Sequence, residues 1–500
     1  MVDEMPPLGA LGDMSPTELR SELHRMADWI ADYRESIGAR AIMSTVAPGV
    51  VTGGLSASLP EAPAPMSAIR RDFDDVVMPG IMHWGHPAFL GYFGSTSNGP
   101  ALLGEMAAAA LNVSAMTWKT SPAATELESV VLRWIREMIG LPTSFTGVVY
   151  DTASVAVLHA LAAARELAAP SVRAHGIAAR ADVPVQRVYA SDQAHSSLEK
   201  AMIVLGLGEE NVVRIRTDDA FRLDVDALRE AVADDRRRGR HPLAVVATVG
   251  TTSSASVDPV RRIAELCAAE QLWLHVDAAY GGAMGVLPEG RVAMDGVELA
   301  DSVVINPHKC LFVPLDFSTL YTRHPETLRA VFALTPEYLR GDAAATHDSV
   351  AIDYMDYGIQ LGRRFRALKA WMVLRAFGRS GVESRVREHC RLASVLAHRI
   401  EREPGFALAA PPSMSVVCFR YADTARDAAA NDRLNEAIVE AVNASGEAYL
   451  THTRLGGRAV MRVGFGNVLT TEQHLGILLD RVLIERDRLA ASPHLPAAAG

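Results

Sequence analysis

Runs of apolar, β-branched residues alternate with longer amphipathic stretches through the middle of the chain, from about residue 86 to residue 380. Strands that alternate with helices are typical of an α/β protein with a mostly parallel sheet. The clearest predicted strands are 185–190, 212–215, 243–249, 272–276, 303–305 and 318–321. The pattern therefore predicts a large α/β region at the centre of the chain.

The two ends of the chain follow different patterns. Ser15-Pro-Thr-Glu18 is a capping box, and an apolar stripe from Leu19 to Ile37 follows it at helical spacing. After about residue 381, helical stretches accompany predicted strands at 416–420 and 459–463. We therefore expect an N-terminal helical segment (1–85) that must bury its stripe, a large domain (86–380) and a small α/β domain (381–500).

A lysine follows the apolar run at 302–305, in the sequence Asn306-Pro-His-Lys309. Lysine is seldom buried unless a partner pairs with its charge. An amine whose pKa is lowered by desolvation is a nucleophile towards aldehydes. Because most lysines are surface charges, Lys309 becomes a candidate catalytic residue only through its companions.

Three other segments carry such companions. Asp277 ends the predicted strand 272–276 and can pair with a protonated pyridine nitrogen, while Ala279 leaves room for a flat ring. The turn at 151–154 joins a strand to a helix N-terminus, where free N–H groups favour a phosphate. His195 follows the predicted strand 185–190. A phosphate turn, a His, an Asp and a Lys, in this order, match the needs of pyridoxal phosphate.

Composition narrows the class of protein. With 500 residues, 49% of them hydrophobic and 22% charged, the chain is typical of a globular protein with more than one packed unit. No apolar stretch reaches the roughly 18 residues of a membrane span, and the acidic start of the chain does not resemble a signal peptide. Four scattered cysteines predict neither a disulfide framework nor a metal site. A net charge of −10 argues against nucleic acid as a partner, and we expect a cytoplasmic location.

Seven short segments carry recognisable motifs, and Asn-Pro-His-Lys at 306–309 with Asp-Gln-Ala-His-Ser-Ser at 192–197 is the most specific pair. The other motifs lie at 83–84, 120–128, 246–252, 275–280 and 361–366. Together they resemble the group II pyridoxal-phosphate-dependent decarboxylases, most closely the aromatic-L-amino-acid decarboxylases, over residues 19 to 484. The resemblance implies fold type I, with a mostly parallel seven-stranded sheet in the large domain, and a homodimer with its active site at the subunit interface.

The resemblance also implies a role for each matching residue. Lys309 is the Schiff-base lysine, Asp277 keeps the ring nitrogen protonated, and His195 stacks on the ring and helps to orient the substrate carboxylate. Thr252 and Ala279 are expected to line the ring. The residues expected to hold the phosphate are Thr152, Ala153, Ser154, Asn306 and His308. Asp-Thr-Ala-Ser stands at 151–154 where relatives often carry Gly-Ser-Ala-Ser, a change that a site built from backbone groups tolerates.

Tyr338 bears on the reaction product. The segment 331–345 resembles the family's mobile catalytic loop, with Tyr338 at the position of the proton donor. Related aldehyde synthases typically replace this tyrosine with Phe, or the histidine at the position of His195 with Asn. The chain keeps both residues, which favours an amine product over an aldehyde.

The expected substrate is an aromatic L-amino acid: tryptophan, tyrosine, phenylalanine or DOPA. Residues 82–93 match the region that forms the aromatic pocket, with Trp84, Tyr92 and Phe93 as candidates. Gly94-Ser95 replaces the usual Pro-Thr of that region. The resemblance adds Ser114, Met116 and Gly362 as pocket residues, the first two on the partner-subunit side. Ser114 and Met116 stand where Ile and Phe are frequent, and these departures enlarge the pocket.

Four other functions stay open at this point. An aromatic aldehyde synthase uses the same cofactor and releases peroxide. An acidic-amino-acid decarboxylase needs a cationic pocket, which the aromatic segment does not supply. A transaminase usually presents a carboxylate-binding arginine late in the chain, a position that Arg462 could imitate. A scaffold on a decayed enzyme fold is disfavoured by the intact Lys309, Asp277, His195 and Tyr338.

Overall fold

A seven-stranded sheet forms the centre of the protein, in a computed structural model that describes residues 13–94, 96–178, 180–334 and 352–491. Its strands are β1 (Thr146–Tyr150), β2 (Gln186–Ser191), β3 (Val212–Ile215), β4 (His241–Thr248), β5 (Trp273–Asp277), β6 (Ser302–Ile305) and β7 (Ser318–Thr322). The order across the sheet is β1-β7-β6-β5-β4-β2-β3. Only β7 runs opposite to the other strands of this sheet, so the predicted mostly parallel α/β fold is confirmed.

A second, antiparallel sheet lies in the C-terminal part of the chain. Its strands are β8 (Phe406–Leu408), β9 (Val416–Tyr421), β10 (Thr451–Leu455) and β11 (Arg458–Gly464), in the order β10-β11-β9-β8. The strands predicted at 416–420 and 459–463 correspond to β9 and β11. Phe89 and Leu90 pack into the apolar core of this smaller sheet. A short segment at the start of the predicted large domain therefore packs into the C-terminal core.

Fifteen α-helices surround the two sheets in the described part of the chain. They are α1 (Pro16–Ser36), α2 (Val50–Gly54), α3 (Met66–Asp72), α4 (Gly99–Leu111), α5 (Pro122–Ile139), α6 (Ala153–Ala168), α7 (Ser171–His175), α8 (Ser197–Val204), α9 (Val225–Arg237), α10 (Val260–Glu270), α11 (Pro307–Cys310), α12 (Pro325–Phe332), α13 (Ala367–Arg402), α14 (Ala428–Ala444) and α15 (Glu472–Ala490). None of the helices in these ranges is both long and apolar enough to span a membrane.

Local sequence explains where several helices begin and end. The predicted capping box is present at Ser15, whose hydroxyl accepts from the Glu18 N–H while the Glu18 carboxylate accepts from the Ser15 N–H. Ser121 caps α5, and the helix stops at Gly140, which adopts a left-handed conformation with φ of 82°. Helix α13 is broken at Gly378, where φ is 63°. The predicted boundary between the large and small domains, at 380/381, lies just beyond this break.

Helix α1 has no buried residue within its own chain. Leu19, Leu23 and Met26 of the predicted apolar stripe are exposed. Further along the helix, Trp29 stacks on Tyr33 with 5.4 Å between ring centroids. Ile37, at the end of the stripe, is buried, so only the first half of the stripe is exposed in the described part of the chain. An exposed apolar stripe is unusual on a surface helix, because such a stripe normally faces a core.

A buried ion pair links the segment before β1 to the segment before α13. The side chains of Glu128 and Arg363 are only 2% and 5% exposed, and they form two hydrogen bonds of 2.6 and 3.0 Å. Glu128 Oε1 also accepts from the Val149 N–H, and Arg363 donates to the carbonyl oxygens of Val149 and Ala115. Glu128 and Arg363 lie in two of the family motifs, so the pair gives these motifs a structural purpose.

We predict that Glu128→Gln destabilises the protein by about 3–5 kcal/mol, because it leaves the Arg363 guanidinium buried without a counter-charge. The same change in the exposed pair between Glu289 and Arg387 is the matched control, with a much smaller expected loss of stability. Thermal and urea unfolding of both variants measure the difference. Equal losses would contradict the importance of the buried pair.

Candidate active site

The predicted site residues converge at the carboxyl ends of the parallel strands. The turn after β1 carries Thr152, the loop after β4 carries Thr252, β5 ends at Asp277, and β6 leads into Lys309. Ligands of open α/β sheets bind outside these strand ends. Here they enclose a cavity of about 180 Å³, lined by Phe93, Thr152, Ala153, Ser154, His195, Thr248, Gly250, Thr252, Asp277, Ala279, Tyr280, Asn306 and Lys309.

The Lys309 amine lies at the boundary of this small cavity and a larger one, and it lines both. Short helix α11, which begins after Asn306, presents the side chain to the cavity. Burial lowers the pKa of Lys309, while the carboxylate of Asp277 acts in the opposite direction. A lysine with a lowered pKa has a larger neutral fraction at a given pH, so it is a better nucleophile than a surface lysine.

The Asp277 carboxylate lies in the wall of the small cavity and is nearly buried. Its Oδ1 accepts a 3.0 Å hydrogen bond from the Ala279 N–H, which fixes the side chain at the end of β5. Strand β5 lies between β4 and β6, and both neighbours end in loops that line the same cavity. The carboxylate is therefore held in place to face a cationic nitrogen of a bound ring.

The turn between β1 and α6 is suited to bind an anion. Thr152 is the N-cap of α6 in an extended conformation, and its side chain makes no capping hydrogen bond. The first-turn N–H groups therefore have no side-chain acceptor and can donate to a phosphate. Asn306 lies beside them in the cavity wall, where its Oδ1 accepts a 2.6 Å hydrogen bond from Ser318 Oγ.

Two histidines flank the lysine in uncharged form. Burial lowers the pKa of His195, although Asp277 opposes the shift, and His195 Nδ1 accepts from the Ser197 N–H. Burial also lowers the pKa of His308 to about 3, and its Nδ1 accepts from the Phe317 N–H. His195 lines both cavities, whereas His308 lines the larger one. The predicted contact of His308 with the phosphate therefore stays a prediction.

The residues of the small cavity fit pyridoxal phosphate. Thr248 Oγ1 is buried in the cavity wall without a hydrogen-bond partner among the described residues, so a polar ligand is needed to satisfy it. The helix N-terminus suits the phosphate, Asp277 suits the ring nitrogen, and Lys309 suits the aldehyde. Ala279 provides space beside the ring.

The larger cavity, of about 630 Å³, opens next to Lys309, and part of its wall is aromatic. Trp84, Tyr92 and Phe93 line it, as predicted from the sequence. The Phe93 ring stacks on Tyr280 at 4.0 Å, and the Lys309 amine lies 4.8 Å from its centroid. Phe93 thus lines both cavities and contacts Lys309.

Arg462 is a buried cation, whereas its position in the sequence indicated only a possible imitation of the carboxylate-binding arginine of a transaminase. Its guanidinium lies 4.5 Å from the Phe93 ring and donates to the carbonyl oxygens of Tyr92, Thr252 and Ser253. A lone charged residue within the apolar strand at 459–463 was a signal for such a position. Tyr449, which also lines the larger cavity, had no comparable signal.

Three predicted substrate residues lie together but line neither cavity of the described chain. The N–H of Arg363, next to Gly362, donates to Ser114 Oγ at 3.3 Å. The carbonyl of Met116 accepts from the Met355 N–H at 3.0 Å. Gly362 is exposed and has open space where a side chain would be. Tyr338 lies outside the described residues.

Comparisons with known proteins found relatives over nearly the whole chain. The pyridoxal-dependent decarboxylase conserved domain matches residues 48–422. Over 473 residues the chain is 38% identical to tryptophan decarboxylase 2 of Oryza sativa subsp. japonica and 37% identical to a phenylacetaldehyde synthase of Arabidopsis thaliana, which covers 93% of this chain and 94% and 95% of those proteins. The structure of Oryza sativa TDC with PLP and tryptamine has a TM-score of 0.91 at 36% identity, over 96% of this chain and 99% of that one.

The chain belongs to the pyridoxal-dependent decarboxylase family. The resemblance identified from its motifs is thereby confirmed, as is fold type I. Its cofactor is pyridoxal phosphate, which agrees with the donor groups of the small cavity.

We predict that cofactor-free protein captures pyridoxal phosphate with a pH midpoint below 10.5, the ordinary lysine value, because only the neutral Lys309 amine attacks the aldehyde. Asp277→Asn removes the anion that raises the pKa of Lys309, so its midpoint is expected to be lower still. Stopped-flow absorbance after addition of the cofactor measures the rate at each pH, and Asp295→Asn, at an exposed site, is the control. A midpoint at 10.5, or an upward shift in Asp277→Asn, would contradict this account of Lys309.

Proposed function

We propose that this protein decarboxylates an aromatic L-amino acid, releasing the corresponding amine and CO2. The observation that carries the proposal is the aromatic cavity that opens directly onto Lys309 and shares Phe93, His195 and Thr252 with the cofactor cavity. Aromatic walls suit an aromatic side chain, and one open end of the cavity leaves room for a large ring. Tryptophan, tyrosine, phenylalanine and DOPA are the candidate substrates.

The proposed roles of Lys309, Asp277 and His195 agree with their positions in the cavity walls, and the role of Tyr338 follows from the family resemblance alone. Lys309 holds the cofactor and then passes it to the amine group of the substrate. Bound pyridoxal phosphate supplies an electron sink for the electron pair that remains when the carboxylate leaves as CO2. Asp277 keeps a proton on the ring nitrogen, and His195 covers the ring face and orients the carboxylate. Tyr338 is proposed to deliver the proton that completes the amine.

An aromatic aldehyde synthase is the second candidate, because the phenylacetaldehyde synthase of Arabidopsis thaliana is 37% identical to this chain, close to the 38% of the tryptophan decarboxylase. Such an enzyme consumes oxygen and releases aldehyde, ammonia and peroxide instead of the amine. The chain keeps Tyr338 and His195, the two positions at which related aldehyde synthases typically differ. These residues support the amine-forming reaction.

A panel of aromatic amino acids, with amine and peroxide both quantified, tests the proposed function. We expect amine without peroxide from the wild-type protein and neither product from Lys309→Ala. Tyr338→Phe is expected to lower amine formation by about 10²-fold or more and to release aldehyde, ammonia and peroxide. Peroxide and aldehyde from the wild-type protein would instead identify an aldehyde synthase. Unchanged amine formation in Tyr338→Phe would remove this tyrosine from the mechanism.

We also propose a homodimer in which each subunit completes the other's site. The exposed apolar stripe of α1 needs a cover, and α4 exposes Leu103 and Leu111 as well. Ser114, Met116 and Gly362 are candidates to reach a substrate in the partner subunit, since they line neither cavity of their own described chain.

The four cysteines are free, which supports a reducing compartment such as the cytoplasm.

Subunit complementation tests the shared site. Lys309→Ala lacks the catalytic amine, and Gly362→Trp is expected to block the pocket from the partner's side, so each variant alone should be inactive. Co-expression should restore about a quarter of wild-type activity, because half of the dimers are hybrids with one intact site. Gly476→Trp, at another glycine with open space, is the control and should stay active. No recovery in the mixture would contradict a site built from two subunits.

A further inference from the structure

Tyr449 is held beside the aromatic segment by backbone hydrogen bonds. Its N–H donates to the Ala88 carbonyl at 3.0 Å, and its carbonyl accepts from the Leu90 N–H at 2.8 Å. Asn443 fixes the next residue, Leu450, through two hydrogen bonds of 3.0 Å. The position of Tyr449 relative to the cavity is therefore set by the fold and not by a free loop.

The ring of Tyr449 occupies space that Gly91 leaves open. A Cβ atom at Gly91 would come within 2.5 Å of the Tyr449 ring, so a larger residue at 91 would displace it. The Tyr449 ring also stacks on Phe89, with ring centroids 5.0 Å apart and an angle of 8° between the ring planes. These contacts define the direction of the hydroxyl group.

The Tyr449 hydroxyl forms a pair with the hydroxyl of Tyr92, at 3.1 Å. Tyr92 stacks on Trp84 at 5.3 Å, and all three side chains line the larger cavity. Tyr92 has a positive φ of 51°, unusual for a bulky residue, and its carbonyl is held by Arg462. The pair is thus a polar feature, fixed from both sides, within the aromatic part of the cavity wall.

Two hydroxyl groups that bond to each other retain further hydrogen-bonding capacity. One donates to the other, so the accepting hydroxyl keeps its own O–H, and both oxygens keep lone pairs. Burial, followed by the bond to Tyr92, raises the pKa of Tyr449, so its hydroxyl stays protonated. A phenol or an indole N–H on a substrate ring can bond to this pair, whereas a phenyl ring cannot.

We propose that Tyr449, paired with Tyr92, is a specificity-determining residue that selects aromatic substrates carrying a hydrogen-bonding group on the ring. The inference rests on the proposed function, and it narrows the substrate class to tyrosine, DOPA and tryptophan in preference to phenylalanine. A site that offers a hydrogen bond favours the substrate that can form it, because the analogue without the ring group forms one hydrogen bond fewer.

The test compares the wild-type holoenzyme with Tyr449→Phe, which removes the hydroxyl and keeps the ring on Phe89. The ratio of kcat/KM for tyrosine to kcat/KM for phenylalanine is expected to fall about three- to tenfold, the effect of one neutral hydrogen bond. Tyr92→Phe should cause a similar fall. In the double variant the two effects should not multiply, because both single changes remove the same pair.

Tyr421→Phe is the matched control. The Tyr421 ring also lies against a glycine, Gly405, and packs on a phenylalanine, Phe406, but it lines neither cavity. The ratio of kcat/KM for tyrosine to kcat/KM for phenylalanine in Tyr421→Phe should equal the wild-type ratio. An unchanged ratio in Tyr449→Phe, or an equal fall for both substrates, would overturn the proposal. The cofactor absorption band and the thermal unfolding midpoint confirm that each variant is folded.

Binding measurements separate this inference from the proposed function. Calorimetry with the holoenzyme should show tighter binding of tyramine than of phenethylamine, and Tyr449→Phe should remove the difference. If the wild-type protein released no amine from any aromatic amino acid, the proposed function would fail, while the binding difference would still decide the role of Tyr449. Equal binding of the two amines by the wild-type protein would overturn the inference.

Discussion

The active site depends on the buried ion pair between Glu128 and Arg363. Removal of two charges from water costs several kcal/mol for each ion, and only complete hydrogen bonding offsets this cost. Here the carboxylate accepts from the guanidinium and from Val149, and the guanidinium also donates to two carbonyl groups. Because β1 continues directly into the turn at 151–154, the pair sets the position of the predicted phosphate turn. Because Arg363 also bonds to the Ala115 carbonyl and to Ser114 Oγ, the pair holds the segment at Ser114 beside the segment at Gly362.

Arg462 provides a second link, between the two sheets. It belongs to β11 of the smaller sheet, yet its guanidinium binds carbonyl groups of Thr252 and Ser253, in the loop after β4 of the large sheet, and of Tyr92. The small C-terminal sheet is therefore part of the substrate cavity and not a separate cover. Phe93 contacts both Arg462 and Lys309 and so connects this arrangement to the lysine.

Burial determines the charge of the groups around the cofactor cavity. It lowers the pKa of Lys309, His195 and His308, so each is more readily neutral than in water. The Asp277 carboxylate opposes the shift of Lys309 and His195, since it favours their charged forms. Capture of an aldehyde requires a neutral amine, and a nearby anion is needed to keep a proton on the ring nitrogen.

Local patterns were sufficient for much of this protein. The strands, the Ser15 cap and the helix after 152 follow from short-range periodicity and capping. The turn at 151–154, Asp277 and Lys309 were grouped because their order along the chain matches the needs of pyridoxal phosphate. The motifs also identified the family.

Tertiary structure decided what local patterns do not encode. Thr248, Tyr449 and Arg462 enter the cavity walls through contacts between residues hundreds of positions apart, or through strands whose neighbours are set by the whole sheet. Likewise, only the folded chain shows that Ser114, Met116 and Gly362 line neither of the two cavities and that Leu19, Leu23 and Met26 of the α1 stripe are exposed among the described residues. The sequence by itself determined the elements, the cofactor chemistry and the family. The fold determined the walls of the substrate cavity, because long-range packing selects which side chains share a surface.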